Sequence, residues 1–384
     1  MHICDIDKCT GCSACYNTCP RLAICMKRDN KGFVHPVIDK EKCINCRLCV
    51  KVCPENNDVP FVSTDSAYLF KNGDFSIRLK SSSGGAFSAI AKNILDKKGY
   101  VFGAEFSTDF MVKHNFYQDF DGVKKFCTSK YVQSTIGDSY KKVFELLKDD
   151  EYVLFSGSPC QVAGLRSYLE RCKCSTGKLL TVDFVCHGVG SPKFWDDCLH
   201  YYSRKFGSEI RSVNFRGKQR AGKLQNMSIS FANGKEFNAP STNLELFYYH
   251  FLKNYILRES CYTCKYSRQD RVSDITLADC FNAKEDNKHM IDGFGLSLLF
   301  ANTEKGEGII KNISETGNLV EVVKKDYIQP NMICPTHSPS DYVAFWTEYG
   351  SSFSNAMGVS KYYSFKNGLK RLASVVAYNL KIGK

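Results

Sequence analysis

The strongest constraint on this chain is a cysteine pattern that occurs twice, 34 residues apart. Residues 8–20 read KCTGCSACYNTCP, residues 42–54 read KCINCRLCVKVCP, and both copies have the form C-x2-C-x2-C-x3-C-P. Three thiols at this spacing can hold three corners of one metal–sulfide cube, whereas the fourth lies about one helical turn further on and faces a second cube. The repeat therefore predicts two compact metal clusters with interleaved ligands.

This spacing is that of the bacterial two-cluster ferredoxins, and it predicts two [4Fe–4S] clusters. A pair of four-cysteine zinc sites is the alternative, but such sites usually show two C-x2-C pairs separated by a longer spacer. The first cluster is predicted to take Cys9, Cys12, Cys15 and Cys53, and the second Cys43, Cys46, Cys49 and Cys19.

Twenty cysteines among 384 residues also bear on the compartment. The N-terminal MHICDIDKC lacks the apolar stretch of a secretion signal, and no apolar run approaches the roughly 18 residues of a membrane-spanning helix. We therefore expect a cytoplasmic protein in which thiols stay reduced and clustered cysteines bind metal. The net charge of +12 does not indicate nucleic-acid binding, because acidic residues are interspersed with the basic ones and cluster thiolates would offset part of the charge.

From about residue 67 the pattern alternates between strands and helices. Strands are predicted at 100–106, 152–155 and 179–186, and helices at 86–99, at 139–150 after a cap at Asp138, from Pro159, and after Ser191. This alternation predicts an α/β main body with a mainly parallel sheet, preceded by a small α+β bacterial-type ferredoxin domain. The expected divisions are a ferredoxin-like domain at 1–58, a linker at 59–66, the two parts of the body at 67–150 and 151–340, and a tail at 341–384.

Two cysteines follow strands of this predicted sheet. Cys160 comes after the strand at 152–155, and Cys186 ends the strand at 179–186, so both belong at the edge where parallel strands end and ligands bind. The position of Cys160 at a helix N-terminus also favours a thiolate. Cys261 and Cys264 of the CYTC turn, before the strand in RVSDITLAD, would complete a third cluster. A small apolar role for a lone cysteine, and a zinc or redox role for C-x2-C, remain as alternatives.

The stretch SSSGGAF at 81–87 precedes a predicted helix. Hydroxyls and glycines at a helix N-terminus can hold a phosphate, but the same residues also form ordinary helix caps. The chain contains no G-x-G-x-x-G motif.

Taken in order, these segments resemble the coenzyme F420 hydrogenase/dehydrogenase beta subunit family over roughly residues 1–300. The resemblance is carried by the cysteine repeat, SSSGGAFSAI, STIGDSY, VLFSGSPCQVAGL, DFVCHGVGSP, VNFRGKQRAG and SCYTCKYSRQDRVSDITLAD. It implies FAD beside a third [4Fe–4S] cluster on Cys160, Cys186, Cys261 and Cys264. It also implies flavin contacts from Ser82, Ser83, Gly84, Gly85 and Ser158.

Substrate residues are expected near the loop at 215–226 and beside the third cluster. Arg216, Lys218 and Arg220 could bind an anionic substrate, although a solvated loop explains them equally well. His187, next to Cys186, could donate a proton, or it could be held by local hydrogen bonds in its loop. The chain departs from the family pattern at Lys223, where an aromatic residue is common, and at residues 278–281, which read ADCF rather than GDFW.

The expected function is an iron–sulfur flavoprotein oxidoreductase that passes electrons between clusters and FAD and exchanges hydride with coenzyme F420 or another organic substrate. The alternative is a non-catalytic electron-transfer subunit of a larger hydrogenase or dehydrogenase complex. Expected partners are a ferredoxin or a dehydrogenase subunit and the organic substrate, with no nucleic acid. The tail at 367–384, with Leu369, Leu372, Val376 and Leu380 at helical spacing, is expected to pack on protein rather than on a membrane surface. No role is assigned to Cys4, Cys25, Cys127, Cys172, Cys174, Cys198, Cys280 or Cys334.

Overall fold

The computed structural model describes residues 2–218, 226–239, 245–364, 366–370 and 372–373. Arg220, Lys223 and the tail residues Val376 and Leu380 therefore lie outside the described residues. Leu369 and Leu372 of the same tail are exposed. No helix in the described ranges is long and apolar enough to cross a membrane.

The described part of the chain forms thirteen strands and twelve α-helices. The strands are β1 (Ile24–Arg28), β2 (Val34–Ile38), β3 (Ser66–Asn72), β4 (Tyr100–Phe106), β5 (Val112–Tyr117), β6 (Val153–Ser156), β7 (Leu179–Phe184), β8 (Ile210–Gly217), β9 (Asn226–Phe231), β10 (Glu236–Asn238), β11 (Ile275–Asp279), β12 (Ser297–Ala301) and β13 (Gly317–Val323). The helices are α1 (Ala14–Asn17), α2 (Leu48–Lys51), α3 (Phe75–Leu79), α4 (Ala86–Leu95), α5 (Phe120–Val123), α6 (Ser139–Lys148), α7 (Pro159–Arg171), α8 (Pro192–Phe206), α9 (Leu246–Leu252), α10 (Glu304–Asn312), α11 (Tyr342–Ser351) and α12 (Phe353–Val359).

The N-terminal segment repeats one local structure, as its sequence does. Strands β1 and β2 pair in antiparallel fashion, and the short helices α1 and α2 each follow the second cysteine of a run. Ser13 and Arg47, just before these helices, both take the left-handed conformation, with φ of 65° and 60°. The two cysteine runs thus turn in the same way at equivalent places, as the prediction of a small α+β ferredoxin domain requires.

The main body is built on one eight-stranded sheet with the order β13-β3-β12-β11-β7-β6-β4-β5. Its centre, from β4 through β6 and β7 to β11, is parallel. The outer pairs are antiparallel, so that β3 runs with the central strands while β5, β12 and β13 oppose them. A sheet with five strands in one direction confirms the prediction of an α/β body. The β4–β5 edge is antiparallel because a short connection joins the two strands, whereas the other edge pairs β3 with strands from much later in the chain.

The predicted elements around the sheet lie close to their expected positions. The strands at 100–106, 152–155 and 179–186 correspond to β4, β6 and β7, and the helix caps at Ser158 and Ser191 are formed. Asp138 occupies the N-cap position of α6 but makes no cap hydrogen bond, because its carboxylate pairs with Lys141 at 2.9 Å. The expected Asp138 cap is therefore wrong in its contacts.

The N-terminal segment and the body share a hydrophobic core. Ile24, Val52 and Val59 pack in one cluster with Phe155 and Leu169 of the body. A second core contains the three-stranded sheet β10-β9-β8, the helices α8 and α9, and side chains of α11 and α12. The divisions at residues 58, 66, 150 and 340 stay predictions.

Candidate functional site

The first predicted cysteine set surrounds one cavity. Cys9, Cys12, Cys15 and Cys53 line a space of about 20 Å³, although Cys53 comes from the second run of the repeat. Cys4, to which the sequence assigned no role, lines the same cavity. The interleaving expected from the cysteine spacing is thus present in the fold.

The second set surrounds a similar cavity of about 20 Å³, lined by Cys19 from the first run and by Cys43, Cys46 and Cys49 from the second. Cys46 is exposed, and Cys19 and Cys43 are half-buried. The four predicted ligands in the first cavity are all buried. The second cavity therefore lies nearer to the surface than the first.

The third set comes together from three distant stretches of sequence. Cys160, Cys186, Cys261 and Cys264 line one cavity of about 30 Å³. Cys160 lies at the start of α7, directly after β6, and Cys186 follows β7, the parallel neighbour of β6. Adjacent parallel strands end at one edge of the sheet, which is why the two thiols meet.

Burial dominates the electrostatics of these thiols. It raises the pKa of Cys160 well above the usual range, and the neighbouring Cys264 raises it further. Burial likewise raises the pKa of Cys186, and raises that of Cys261 to about 11. The effect of the helix N-terminus expected at Cys160 is therefore outweighed. Thiolates in this cavity require a cationic partner, as metal ligands do.

Each cysteine set is arranged around a cavity. In the described ranges, no three or more Cys, His, Asp or Glu side chains close around a single metal ion. The cysteines instead line the walls of cavities. A polynuclear cluster needs this spread arrangement, because its iron atoms separate the ligand sulfurs.

The first and third cavities are neighbours. Thr10 lines both of them. Cys12 of the first set packs against α7, where a Cβ atom on Gly164 would come within 3.0 Å of the Cys12 Sγ atom. Gly164 lies one helical turn beyond Cys160 of the third set. Helix α7 thus bears a predicted ligand of the third set and contacts a predicted ligand of the first.

A buried arginine fills the junction between these two cavities. Arg258 is 2% exposed and lines the third cavity. Its Nε donates to the carbonyl oxygen of Cys9 at 2.7 Å, and Nη2 donates to that of Val34 at 3.0 Å. Nη1 donates to Gln133 Oε1 at 3.2 Å. Sequence reasoning missed Arg258, because its partners come from three separate segments and no local pattern marks it.

A much larger cavity, of about 420 Å³, adjoins the third one. Ser158, His187, Gly188 and Val189 line both. At the far side, the loop before α4 contributes Ser82, Ser83 and Gly85. The first, third and large cavities therefore adjoin one another in that order, and the second cavity belongs to the same N-terminal cysteine repeat as the first.

The predicted flavin residues differ in what they offer to this cavity. The Ser82 hydroxyl accepts from the Ser129 backbone N–H at 2.6 Å, and the Ser83 hydroxyl donates to the Leu296 carbonyl at 2.9 Å. Gly84 does not line the cavity; a Cβ there would lie 2.3 Å from the carbonyl oxygen of Phe70. Gly84 is thus required for packing of the loop against β3. Helix α4 has Gly85 at its N-cap position with no side-chain cap, and its first residues Ala86 and Phe87 line the cavity with Gly85.

Two basic groups in the wall of the large cavity, the half-buried Lys130 and the buried His114, were missed by sequence reasoning. Lys130 lines the large cavity, its Nζ donates to the carbonyl oxygens of Thr128 and Lys125, and burial lowers its pKa to about 8. Burial lowers the pKa of His114 to about 4. Its Nε2 donates to the Ser156 carbonyl at 3.1 Å, and Nδ1 has no hydrogen-bond partner among the described residues. The cavity wall thus carries a half-buried cation and an unpaired acceptor.

His187 is held by side chains on both of its nitrogens. Nε2 lies 2.9 Å from Asn254 Oδ1, and Nδ1 lies 3.5 Å from the Thr336 hydroxyl. Burial lowers the pKa of His187, so the ring is neutral at neutral pH. The surroundings of His187 therefore fit the alternative interpretation, a histidine held in its loop by local hydrogen bonds.

Of the predicted substrate cations, Arg216 and Lys218 lie in the described part of the chain, and both are buried. Their burial excludes a solvated loop as the explanation for these two residues. Arg216 lines the large cavity and pairs with Asp279 at 2.5 Å. Lys218 does not line it; its Nζ donates to the carbonyl oxygens of Arg78, at 2.7 Å, and of Ser83. Burial, with the nearby Arg216 and Arg78 charges, lowers the Lys218 pKa to about 7.

The mouth of the large cavity is apolar and includes part of the departure from the family pattern. Phe184, Leu252 and Phe281 line it and are 43%, 38% and 55% exposed. Asp279, from the same ADCF stretch as Phe281, is the partner of Arg216. Asp279 matches the family pattern, whereas the departing position 281 places the Phe281 ring at the entrance.

Comparisons with known proteins agree with this arrangement. A family model for the C-terminal region of the coenzyme F420 hydrogenase/dehydrogenase beta subunit matches residues 150–326. Two families described as "4Fe-4S dicluster domain" match residues 8–57 and 35–94. No curated protein matches the chain.

Among solved structures, a chain of the F420-reducing [NiFe] hydrogenase complex from Methanosarcina barkeri, studied by xenon derivatization, is 14% identical. The alignment covers 77% of this chain and 95% of that chain, with a TM-score of 0.47. The chain thus joins 4Fe-4S dicluster domains at its N-terminal side to a region, residues 150–326, that matches the C-terminal part of the coenzyme F420 hydrogenase/dehydrogenase beta subunit family.

Proposed function

We propose that this protein is an iron–sulfur flavoprotein oxidoreductase that passes electrons between three [4Fe–4S] clusters and FAD. Hydride is exchanged with coenzyme F420 or another organic substrate. The observation that carries the proposal is the series of three adjoining cavities, in which Thr10 joins the first to the third and residues 187–189 join the third to the large cavity.

The cluster ligands follow from the three cysteine sets. Cys43, Cys46, Cys49 and Cys19 hold the outer cluster, Cys9, Cys12, Cys15 and Cys53 the middle one, and Cys160, Cys186, Cys261 and Cys264 the inner one. Each set supplies four thiolates, the complement that a [4Fe–4S] cluster requires.

The large cavity fits a flavin dinucleotide in one orientation. The uncapped N-terminus of α4, the backbone of Ser82 and Ser83, and the Lys130 ammonium favour the pyrophosphate end. Ser158 and His187, in the wall shared with the third cavity, would then face the isoalloxazine end. FAD, when bound, supplies the conversion of single electrons into hydride transfer.

The remaining residues position the reactants. Neutral His187, fixed by Asn254, orients its ring at the boundary between the inner cluster and the flavin. Arg216 is held by Asp279 in the cavity wall and faces an anionic substrate group only as part of that ion pair. The exposed Phe281 ring at the mouth offers an apolar surface to a planar substrate.

Anaerobic measurement of iron, sulfide and flavin on the reconstituted protein tests the proposal. We expect about twelve iron atoms and one FAD per chain, and about eight iron atoms in Cys160→Ala. Cys198→Ala, which removes a buried thiol from α8, is the control and keeps about twelve. About eight iron atoms in the wild type would overturn the third cluster. A full iron content without flavin would favour the non-catalytic electron-transfer subunit instead.

A further inference from the structure

The outer cluster site differs from the other two in its exposure. Cys46 is exposed, whereas the eight predicted ligands in the first and third cavities are all buried or half-buried. An electron carrier in solution must approach a cluster closely, and it therefore meets this series of sites at the second cavity. The surface around that cavity should then carry the features of a docking site.

Two large apolar side chains stand out on this surface. Leu22 is 69% exposed and Ile44 is 59% exposed, and Ile44 lines the second cavity. The chain segments that hold them carry the cavity cysteines Cys19 and Cys43. A small apolar centre of this kind, surrounded by polar groups, is typical of a transient protein interface.

The polar groups around this centre are mostly cationic. Exposed cations are Arg21, Lys40, Lys42, Arg47 and Lys51, against Asp39 and the exposed Glu41. Lys42 pairs with Asp39 at 3.4 Å. Arg21 lines the cavity, and Arg47 follows Cys46 directly. The side chains next to the exposed cysteine are thus positively charged.

We infer that the surface formed by Arg21, Leu22, Lys42, Ile44 and Arg47 docks a small acidic protein electron carrier. This inference rests on the proposed function, since it takes the outer cluster as the entry point for electrons. In each encounter the carrier loses one electron, and the outer cluster gains it, with no proton transferred. Opposite charge steers the carrier to the cluster, and the apolar centre excludes water in the complex.

Other occupants fit less well. A second copy of the chain would bring the same cations against each other, which opposes a symmetric contact. An anionic membrane surface would neutralise the cations. It would also cover the exposed cluster site with lipid headgroups, so that no electron carrier could reach the cluster there. Membrane binding is therefore an outcome that the experiment must separate.

Stopped-flow reduction of the anaerobic, reconstituted full-length protein tests the docking surface. The donors are an acidic two-[4Fe–4S] ferredoxin and the small methyl viologen cation radical, and the readout is bleaching of the cluster absorbance. In Arg21→Glu/Arg47→Glu we expect the second-order rate constant with ferredoxin to fall about tenfold or more at low ionic strength, and the loss to shrink at high salt. The rate with the viologen should stay equal or rise, because the surface becomes less positive.

A matched control reverses two exposed cations elsewhere. Arg204→Glu/Lys205→Glu changes the charge by the same amount at the end of α8, beside the second core, and should leave both rates unchanged. In the neutral variant Arg21→Gln/Lys42→Gln, the rate constant with ferredoxin should fall less than in Arg21→Glu/Arg47→Glu. This variant replaces the charge reversal in the test if the latter does not assemble its clusters. Equal ferredoxin rates in wild type and variants, or equal losses with both donors, would overturn the docking surface.

Two further readouts separate this inference from others. Iron content and the cluster EPR signal of the variants should equal those of the wild type. Reduction of the outer cluster by ferredoxin does not depend on FAD or on hydride transfer. Failure of the flavin assignment would therefore leave this test intact. Co-sedimentation of the protein with vesicles of anionic lipid, abolished in Arg21→Glu/Arg47→Glu while the ferredoxin rate is unchanged, would replace the carrier with a membrane.

Discussion

Replacing Arg258 with methionine removes a guanidinium that joins the first cysteine run to the wall of the third cavity. The change leaves the carbonyl oxygens of Cys9 and Val34 buried without their donors at 2.7 and 3.0 Å. A hydrogen bond to a charged group contributes about 1.5–3 kcal/mol, so these two contacts together are worth about 3–6 kcal/mol. Methionine retains much of the apolar volume, so the loss reports mainly on the polar contacts.

We expect Arg258→Met to lower the free energy of unfolding by about 3 kcal/mol or more. The iron of the first and third clusters should become more labile to chelator than that of the second. Anaerobic urea unfolding and timed chelation measure the two effects. Arg204→Met is the control, because Arg204 is exposed on α8 and should cost less than about 0.5 kcal/mol. A loss at Arg258 no larger than that of the control, with chelation unchanged, would refute the role of this arginine as the link between the two cavities.

Further predictions concern the middle cluster, a buried histidine and the flavin site. Gly11→Ala places an alanine at φ of +69°, and its methyl group would lie 2.7 Å from the side-chain amide nitrogen of Gln133. Thermal unfolding should therefore show a larger loss of stability than in Gly234→Ala, where φ is +79° and no atom lies within 4 Å. Equal losses of stability would contradict the contact argument. The pKa of His114 is lowered to about 4, so the folded state gains its proton only at lower pH than the unfolded state, and stability is lost as pH falls below about 6.5. Between pH 7.5 and 5.5 the wild type should lose about 1 kcal/mol more than His114→Phe in urea unfolding, and identical pH dependence would show that the ring is accessible to protons. Lys130→Met should weaken FAD binding about tenfold in flavin-fluorescence titration, as expected for one lost charge-assisted contact, whereas Lys125→Met should not; an equal effect of both would remove Lys130 from the pyrophosphate site.

The sequence anticipated the features that depend on local pattern. The cysteine runs specify their own interleaving, because x2 and x3 spacings fix how far each thiol can reach. The positions of Cys160 and Cys186 also followed from sequence, since parallel strands that neighbour each other must end at one edge. The antiparallel edges of the sheet were not anticipated, because β3 pairs with β12 and β13 from the far end of the chain.

The groups that sequence reasoning missed share one property. Arg258 and Lys130 act through contacts that form only when several segments come together, and their neighbours in sequence show no periodicity that distinguishes them. Arg216 and Lys218 were found by type, but their environment stayed open between a substrate site and a solvated loop, because a loop rich in basic residues fits both. The fold buries both side chains against Asp279 and backbone carbonyls.

The place of β3 in the sheet has a consequence for the biogenesis of the protein. β3 is the first strand of the body to leave the ribosome, yet both of its neighbours, β12 and β13, are synthesised long afterwards. The four parallel central strands and all twelve proposed ligand cysteines precede those neighbours in the chain. Pairing over such a separation is slow, so the nascent chain carries an unpaired edge while its thiols are already complete. Metal delivery during translation can then precede closure of the sheet, and a chain that closes without iron would have to reopen in order to acquire it.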